Sequence, residues 1–220
     1  MSMNSQSRGF TLIEILVTTG ILAVLSTVTV LVVQPQELFK QARDARRITD
    51  IKALMQVLRL AGLGGNVIGN NDQVSVSIPD NDSSCSTIAG SLPTLEGGWT
   101  YRCATPTEYR QIDGMGWIAA DFGDPFALNE TTGNEALLAM VGTTYDTTGA
   151  VITVLPVDPI NDVATGNYFM YLYTSNNYQF VTAFESQKYQ ALAAEDGGSD
   201  STRYEVGIDL GLWPAAAVGI

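Results

Sequence analysis

Phe10 to Val33 reads FTLIEILVTTGILAVLSTVTVLVV, a run of apolar, Ser/Thr and Gly residues with one formal charge, Glu14. At ~1.5 Å per residue a helix over this run is about 36 Å long, enough to cross a hydrocarbon layer of about 30 Å. A secretory signal has a shorter apolar region that ends in a small-residue cleavage site; this one runs into Gln34-Pro35 and a helical pattern instead. The run therefore predicts a retained membrane helix over residues 10–33. Before it stands the polar leader MSMNSQSRG, whose Arg8 and amino terminus favour a cytoplasmic position by the positive-inside rule, with the remainder of the chain on the other side.

Glu14 is out of place in such a helix, because an ionised carboxylate near the centre of a span costs roughly 2.5–3.5 kcal/mol. One reading is a side chain that snorkels to the headgroups or is protonated. The other is functional: if the chain is cut after Gly9, Phe10 becomes a new amino terminus, and its positive charge lies one helical turn from Glu14, within one chain or across two. A helix N-terminus also favours an anion there.

Arg8-Gly9 followed by Phe10-Thr11-Leu12-Ile13-Glu14 resembles the class III signal of type IV pilins and of the pseudopilins of type II secretion. The resemblance implies that a prepilin peptidase cuts between Gly9 and Phe10, that the Phe10 amine is methylated, and that Glu14 serves filament assembly. It implies a single-pass precursor in the cytoplasmic membrane that later joins a periplasmic or surface filament. The partners implied are other copies or related subunits, the peptidase, an inner-membrane assembly platform and a cytoplasmic ATPase. The leader has one basic residue where several are common, and the proline that often interrupts the spanning helix comes later, at Pro35.

Beyond Pro35, QELFKQARDARRITDIKALMQVLRL places Leu38, Ala42, Ala45, Ile48, Ile51, Met55 and Leu58 three or four apart, the spacing of an amphipathic helix over 34–61. Pro35 suits its first turn and Gly62 its end. The stripe is expected to pack against the protein's own sheet. Arg43, Arg46 and Arg47, beside Glu37, Asp44 and Asp50, read either as a solvated face or as a contact between subunits.

From residue 62 the pattern changes to short alternating runs between Gly, Asn, Asp and Ser clusters. Gln73–Ile78, Trp99–Cys103 and Ala150–Leu155 read as strands, and Tyr168–Tyr173 with Tyr178–Phe184 reads as a hairpin. The stretch Leu155–Asp162, this hairpin and Glu185-Ser186 also resemble the C-terminal sheet region of pilin-like proteins. The expected fold is α+β: leader 1–9, apolar helix 10–33, amphipathic continuation 34–61, and an exported, mainly antiparallel β-sheet domain over 62–220.

Charge is divided along the chain. Residues 1–60 carry seven Lys/Arg against four acids, whereas residues 61–220 carry four against nineteen, a net −15. So acidic a body repels phosphate, so no nucleic-acid contact is expected. The absence of histidine excludes Ser-His-Asp and Cys-His catalysis and His-ligated zinc or haem. Neither GxGxxG nor GxxxxGK[ST] occurs. The expectation is a structural subunit, pilin or pseudopilin, rather than an enzyme. The alternatives are a minor or tip subunit that recognises a ligand, a single-span binding module, and an anchored enzyme using paired carboxylates.

Cys85 and Cys103, in the exported part, suggest a disulfide, the other reading being two buried thiols. No cofactor is required. Calcium is the metal to consider, with Asp158, Asn161 and Asp162 as one candidate oxygen cluster and residues 196–200 as another. The alternative for both is an acidic surface turn. Asn81-Asp-Ser83 and Asn129-Glu-Thr131 match a glycosylation sequon that also arises by chance.

Overall fold

The structure is a computed structural model and describes residues 9–63, 68–122, 152–174 and 177–213. The first helix, α1, is Leu12–Val33. It begins at Thr11, whose hydroxyl accepts the Glu14 N–H at 3.3 Å. It ends at Gln34, which adopts the left-handed conformation with φ 45° immediately before Pro35. The second helix, α2, is Pro35–Leu63. The chain divides into two compact units, residues 1–40 and 41–220.

In the second unit, strands β1 (Gln73–Val76), β2 (Thr100–Arg102), β3 (Met170–Thr174), β4 (Asn177–Thr182) and β5 (Tyr204–Gly207) form one sheet in the order β2-β1-β3-β4-β5. The β1–β2 pair is parallel and the other three pairs are antiparallel. A short helix α3, Gln187–Ala193, follows β4. The fold is α+β with a mostly antiparallel sheet. Residues 152–155 lie outside any strand, and the rest of the strand predicted from 150 lies outside the described residues, as do residues 175–176 and Asn129.

Both faces of the sheet are covered, which is why nearly every residue of β3 and β4 is buried. Register places Tyr171 opposite Phe180, and Phe180 opposite Val206; this face meets Ile51, Leu54, Leu58 and Ala61 of α2 in one core. Trp117 lies in the same core and donates its indole N–H to the Pro156 carbonyl at 2.9 Å, so that an apolar ring is buried without an orphaned donor. On the opposite face Val74, Val76, Met170, Leu172 and Val181 pack with Cys85, Cys103 and Trp213. Cys85 and Cys103 are joined by a disulfide with their Cα atoms 5.2 Å apart. A loop of 18 residues closed in this way gains about 3 kcal/mol in the chain-entropy picture. At Gly207 the backbones of β4 and β5 approach so closely that a Cβ would stand 2.1 Å from the Tyr178 carbonyl, and only glycine fits.

The face that α2 turns inward differs from the predicted stripe. Ile51 and Leu58 are buried as expected, but Leu38, Ala42 and Ala45 are exposed, and in their place Asp44 and Arg47 are fully buried. Continued backwards at 3.6 residues per turn, the core face set by Ile51, Leu54 and Leu58 falls on 47 and 44 rather than on 45 and 42. The apolar stripe and the buried stripe therefore coincide only after residue 50.

Leu54, outside the predicted stripe, should thus matter more to stability than Leu38 within it. We expect Leu54→Ala to cost about 2–5 kcal/mol and Leu38→Ala, at a site 51% exposed, less than about 0.5 kcal/mol. Denaturant titration of the full chain in detergent micelles measures both; equal losses would mean that the helix is rotated as the simple stripe suggests.

Candidate functional site

Thr11-Leu12-Ile13-Glu14 has the form of a capping box, Ser/Thr-x-x-Glu. The Thr11 hydroxyl and carbonyl both receive the Glu14 N–H, so the helix starts firmly just after Phe10. Glu14 thereby sits in the first turn, where the helix dipole favours a negative charge. Upstream, Gly9 and Phe10 are outside the helix and exposed; Phe10 is 79% exposed and a Cβ built on Gly9 meets nothing within 4 Å. The leader residues 1–8 lie outside the described residues.

Downstream, Leu12–Val30 is apolar enough to cross a membrane, and none of it is buried within the chain; Leu12 is 91% exposed. Its hydroxyls are nevertheless satisfied. Thr18, Thr19, Ser26, Thr27 and Thr29 each donate to a backbone carbonyl three or four residues earlier. Such internal bonds let polar side chains face lipid without an unpaired donor. α1 is thus a helix with every described apolar side chain turned outward.

Residues 4–30 match the family model described as the prokaryotic N-terminal methylation motif. The chain carries the class III signal of type IV pilins and pseudopilins. The match includes Gly9, Phe10 and Glu14, and ends within α1. No curated protein and no solved structure gives a significant match to the chain.

The other chemically distinctive cluster of side chains is in the sheet domain. Arg47 Nε and Nη2 donate to the two carboxylate oxygens of Asp158 at 2.6 and 2.9 Å, a bidentate pair. Its Nη1 reaches Asp44 at 2.5 Å and Glu185 at 2.8 Å. Glu185 also receives Arg43, while Asp44 accepts the backbone N–H groups of Glu185 and Ser186 and the Ser186 hydroxyl. Ser186 in turn caps α3 by accepting the Tyr189 N–H. The three arginines did not form a single solvated face: Arg47 is wholly internal, Arg43 is tied to Glu185, and Arg46 alone is mostly exposed, 3.5 Å from Asp50. Pattern reading missed this because the partners Asp158 and Glu185 lie 111 and 142 positions away from the arginines that bind them.

Burial alone would lower the Arg47 pKa, but its bonds to Asp158, Glu185 and Asp44 outweigh this and push it upward, so the guanidinium keeps its charge. Glu185 is held below the usual carboxylate range, first by Arg43 and then by Arg47, against the opposing effect of burial. The candidate calcium residues turn to different partners. Asp158 serves Arg47 and the Ile160 N–H, Asn161 bonds Ser77, and Asp162 accepts the Ala164 N–H. In the second cluster Asp196 accepts the Gly198 and Glu205 N–H groups and Asp200 accepts from Thr202. Among the described residues no group of three Asp, Glu or Cys is placed to hold a metal ion. Trp117 and Trp213 belong to the core.

Arg47→Met leaves Asp44 and Asp158 buried without their cation and should cost about 3–5 kcal/mol. Glu185, with its folded pKa depressed, adds stability that is full above the ordinary carboxylate value of 4.5 and is lost as pH falls through the lower folded value. Asp50, raised mainly by burial, works in the opposite sense as it takes up a proton. Glu185→Gln should therefore flatten the acid side of the stability profile, read as denaturation midpoints between about pH 3 and 7; an unchanged slope would remove Glu185 from the acid response.

Proposed function

We propose that this chain is a pilin or pseudopilin: a membrane-anchored precursor that a prepilin peptidase cuts between Gly9 and Phe10 and that then assembles through α1 into a type IV pilus-like filament. One combination of observations carries this reading. An exposed Gly9–Phe10 bond directly precedes a capped apolar helix whose described apolar side chains are exposed and which bears one carboxylate in its first turn.

Such a helix has two environments that satisfy it, lipid before assembly and the helices of other copies afterwards. Lipid tails are as apolar as leucine, so bulk hydrophobicity does not favour one over the other; side-chain packing and polar pairing decide. Cleavage supplies the polar pairing. Hydrolysis frees the Phe10 α-amine, a cation that meets the Glu14 carboxylate of the same or a neighbouring helix, and this neutralises a charge that is costly in lipid. Register between copies then follows from that pair. Methylation of the amine keeps its positive charge.

Gly9→Val has room for its side chain and should fold normally, yet the β-branched residue should block cleavage and leave the precursor in the membrane. Glu14→Gln should be cut normally but enter filaments at least about tenfold less, the equivalent of ~1.4 kcal/mol. The decisive readout is the N-terminal peptide of protein sheared from the surface of native cells. A methylated Phe10 start supports the reading; intact Met1, with all protein retained in the membrane, overturns it.

A further inference from the structure

We infer that the outward face of α2 between residues 42 and 59 is a cationic docking surface for the acidic sheet domain of a second copy of this chain. The inference rests on the filament reading above and names the contact that reading leaves open.

Because α2 turns Asp44 and Arg47 inward, the opposite face presents Ala42, Ala45 and Ala53 together with Arg46, Lys52 and Arg59, all exposed. Arg46 has 69% of its side chain exposed, and Lys52 and Arg59 have no ion-pair partner among the described residues. Of the two acids in this segment Asp44 is buried against Arg47, and Asp50, 21% exposed, pairs with Arg46 at 3.5 Å, so that Lys52 and Arg59 leave the face with net positive charge. The alanines keep the ridge low, so another surface can approach the helix closely, with cations beside the contact.

Among the described residues the exposed surface of the sheet domain is acidic in balance, with Asp72, Asp82, Glu96, Asp113, Asp121 and Glu195 all exposed. Residues 61–220 hold nineteen acids and four cations. Of those four, Arg102 gives its N–H groups to the carbonyls of Gly114, Gly116 and Trp117, and Arg203 is half-buried between Asp200 and Trp213. Only Arg110 and Lys188 remain to balance the surface. Two such domains brought together at random place like charges against each other, which is repulsive wherever they are juxtaposed and unpaired. The face of α2 is the surface on which an acidic neighbour is attracted instead. The complement is present on every copy, so the contact is heterologous: helix of one subunit, sheet domain of the next, repeated along an open polymer.

The test uses full-length chains labelled with 14N and 15N, mixed in vesicles of zwitterionic lipid and treated with a zero-length carbodiimide, which joins an amine to a carboxylate in contact as an amide, the elements of water passing to the carbodiimide as it leaves as a urea. Mass spectrometry should find mixed-isotope peptides joining Lys52 to an Asp or Glu of residues 61–220. Their yield should fall about fivefold or more between 0.05 and 0.5 M salt, as screening of exposed charges requires. The yield should fall similarly in R46E/R59E, whose thermal midpoint serves as the check on folding; the salt series needs no variant. Lys52 joined only within its own chain, no mixed-isotope product, or a yield indifferent to both salt and R46E/R59E would overturn the proposal. Coupling of Lys52 to a different protein or to nucleic acid in intact cells, in place of another copy, would overturn it too. If the mixed-isotope product forms but native cells shed no filaments, the filament reading fails and the contact between copies stands.

Discussion

The position of α2 in the sheet domain depends on a charge that cannot leave. A guanidinium with no solvent exposure is stable only if its donors are filled, and Arg47 fills them with Asp158, Asp44 and Glu185. No apolar side chain on the described part of α2 before Ile51 is buried. Residues 51–61 are therefore held by burial of Ile51, Leu54, Val57, Leu58 and Ala61, whereas residues 43–47 are held by ions. The two seats behave differently. Area burial is indifferent to pH and forgiving of small shifts, while a bidentate pair demands its geometry and responds to protonation. The cluster also gathers three separate pieces of chain, since it links α2 to the turn at Asp158 and to the start of α3 at Ser186.

That requirement explains the limits of reading this chain from its pattern. The hairpin of β3 and β4 is legible because Tyr, Phe, Val and Met occupy both faces of consecutive residues, as a doubly covered strand pair demands. The apolar helix is legible because the length of the run, the Arg8-Gly9-Phe10 junction before it and the lone Glu14 within it are all local. Arg43, Arg46 and Arg47 are not legible individually. Within one turn of helix the sequence Arg-Asp-Ala-Arg-Arg has no feature that separates the arginine destined for the interior from its neighbours, because their carboxylate partners enter only when the sheet has formed. The same holds for the parallel pairing of β1 with β2, whose register joins residues 27 positions apart across an irregular, disulfide-closed segment. For Ala150–Leu155 a local pattern was misleading: the alternation is present, but in its described part Leu155 goes to the Trp117 core while Val154 points outward without strand pairing.

Satisfying the interior also determines what the exterior offers. Turning Arg47 and Asp44 inward rotates Ala42 and Ala45 outward, so the helix exposes small side chains where a stripe drawn from hydrophobicity alone would bury them. Arg46 is carried outward with them. A surface that is both low and cationic is thus a consequence of the internal ion cluster, not a separate feature of the sequence.

The two parts of the chain meet opposite electrostatic demands, and this sets a division of labour between them. On the filament reading proposed above, the single carboxylate of α1 would lie where water is scarce, and one opposite charge there would be worth much and would fix register. In the sheet domain the acids are many and solvated, each pair is worth about 1 kcal/mol or less, and only their sum favours one surface over another. On that reading register would belong to Glu14 and selectivity of approach to the acidic body. A polymer built on both would keep its axial order as salt rises, since screening weakens solvated charges far more than buried ones, while its outer contacts loosen.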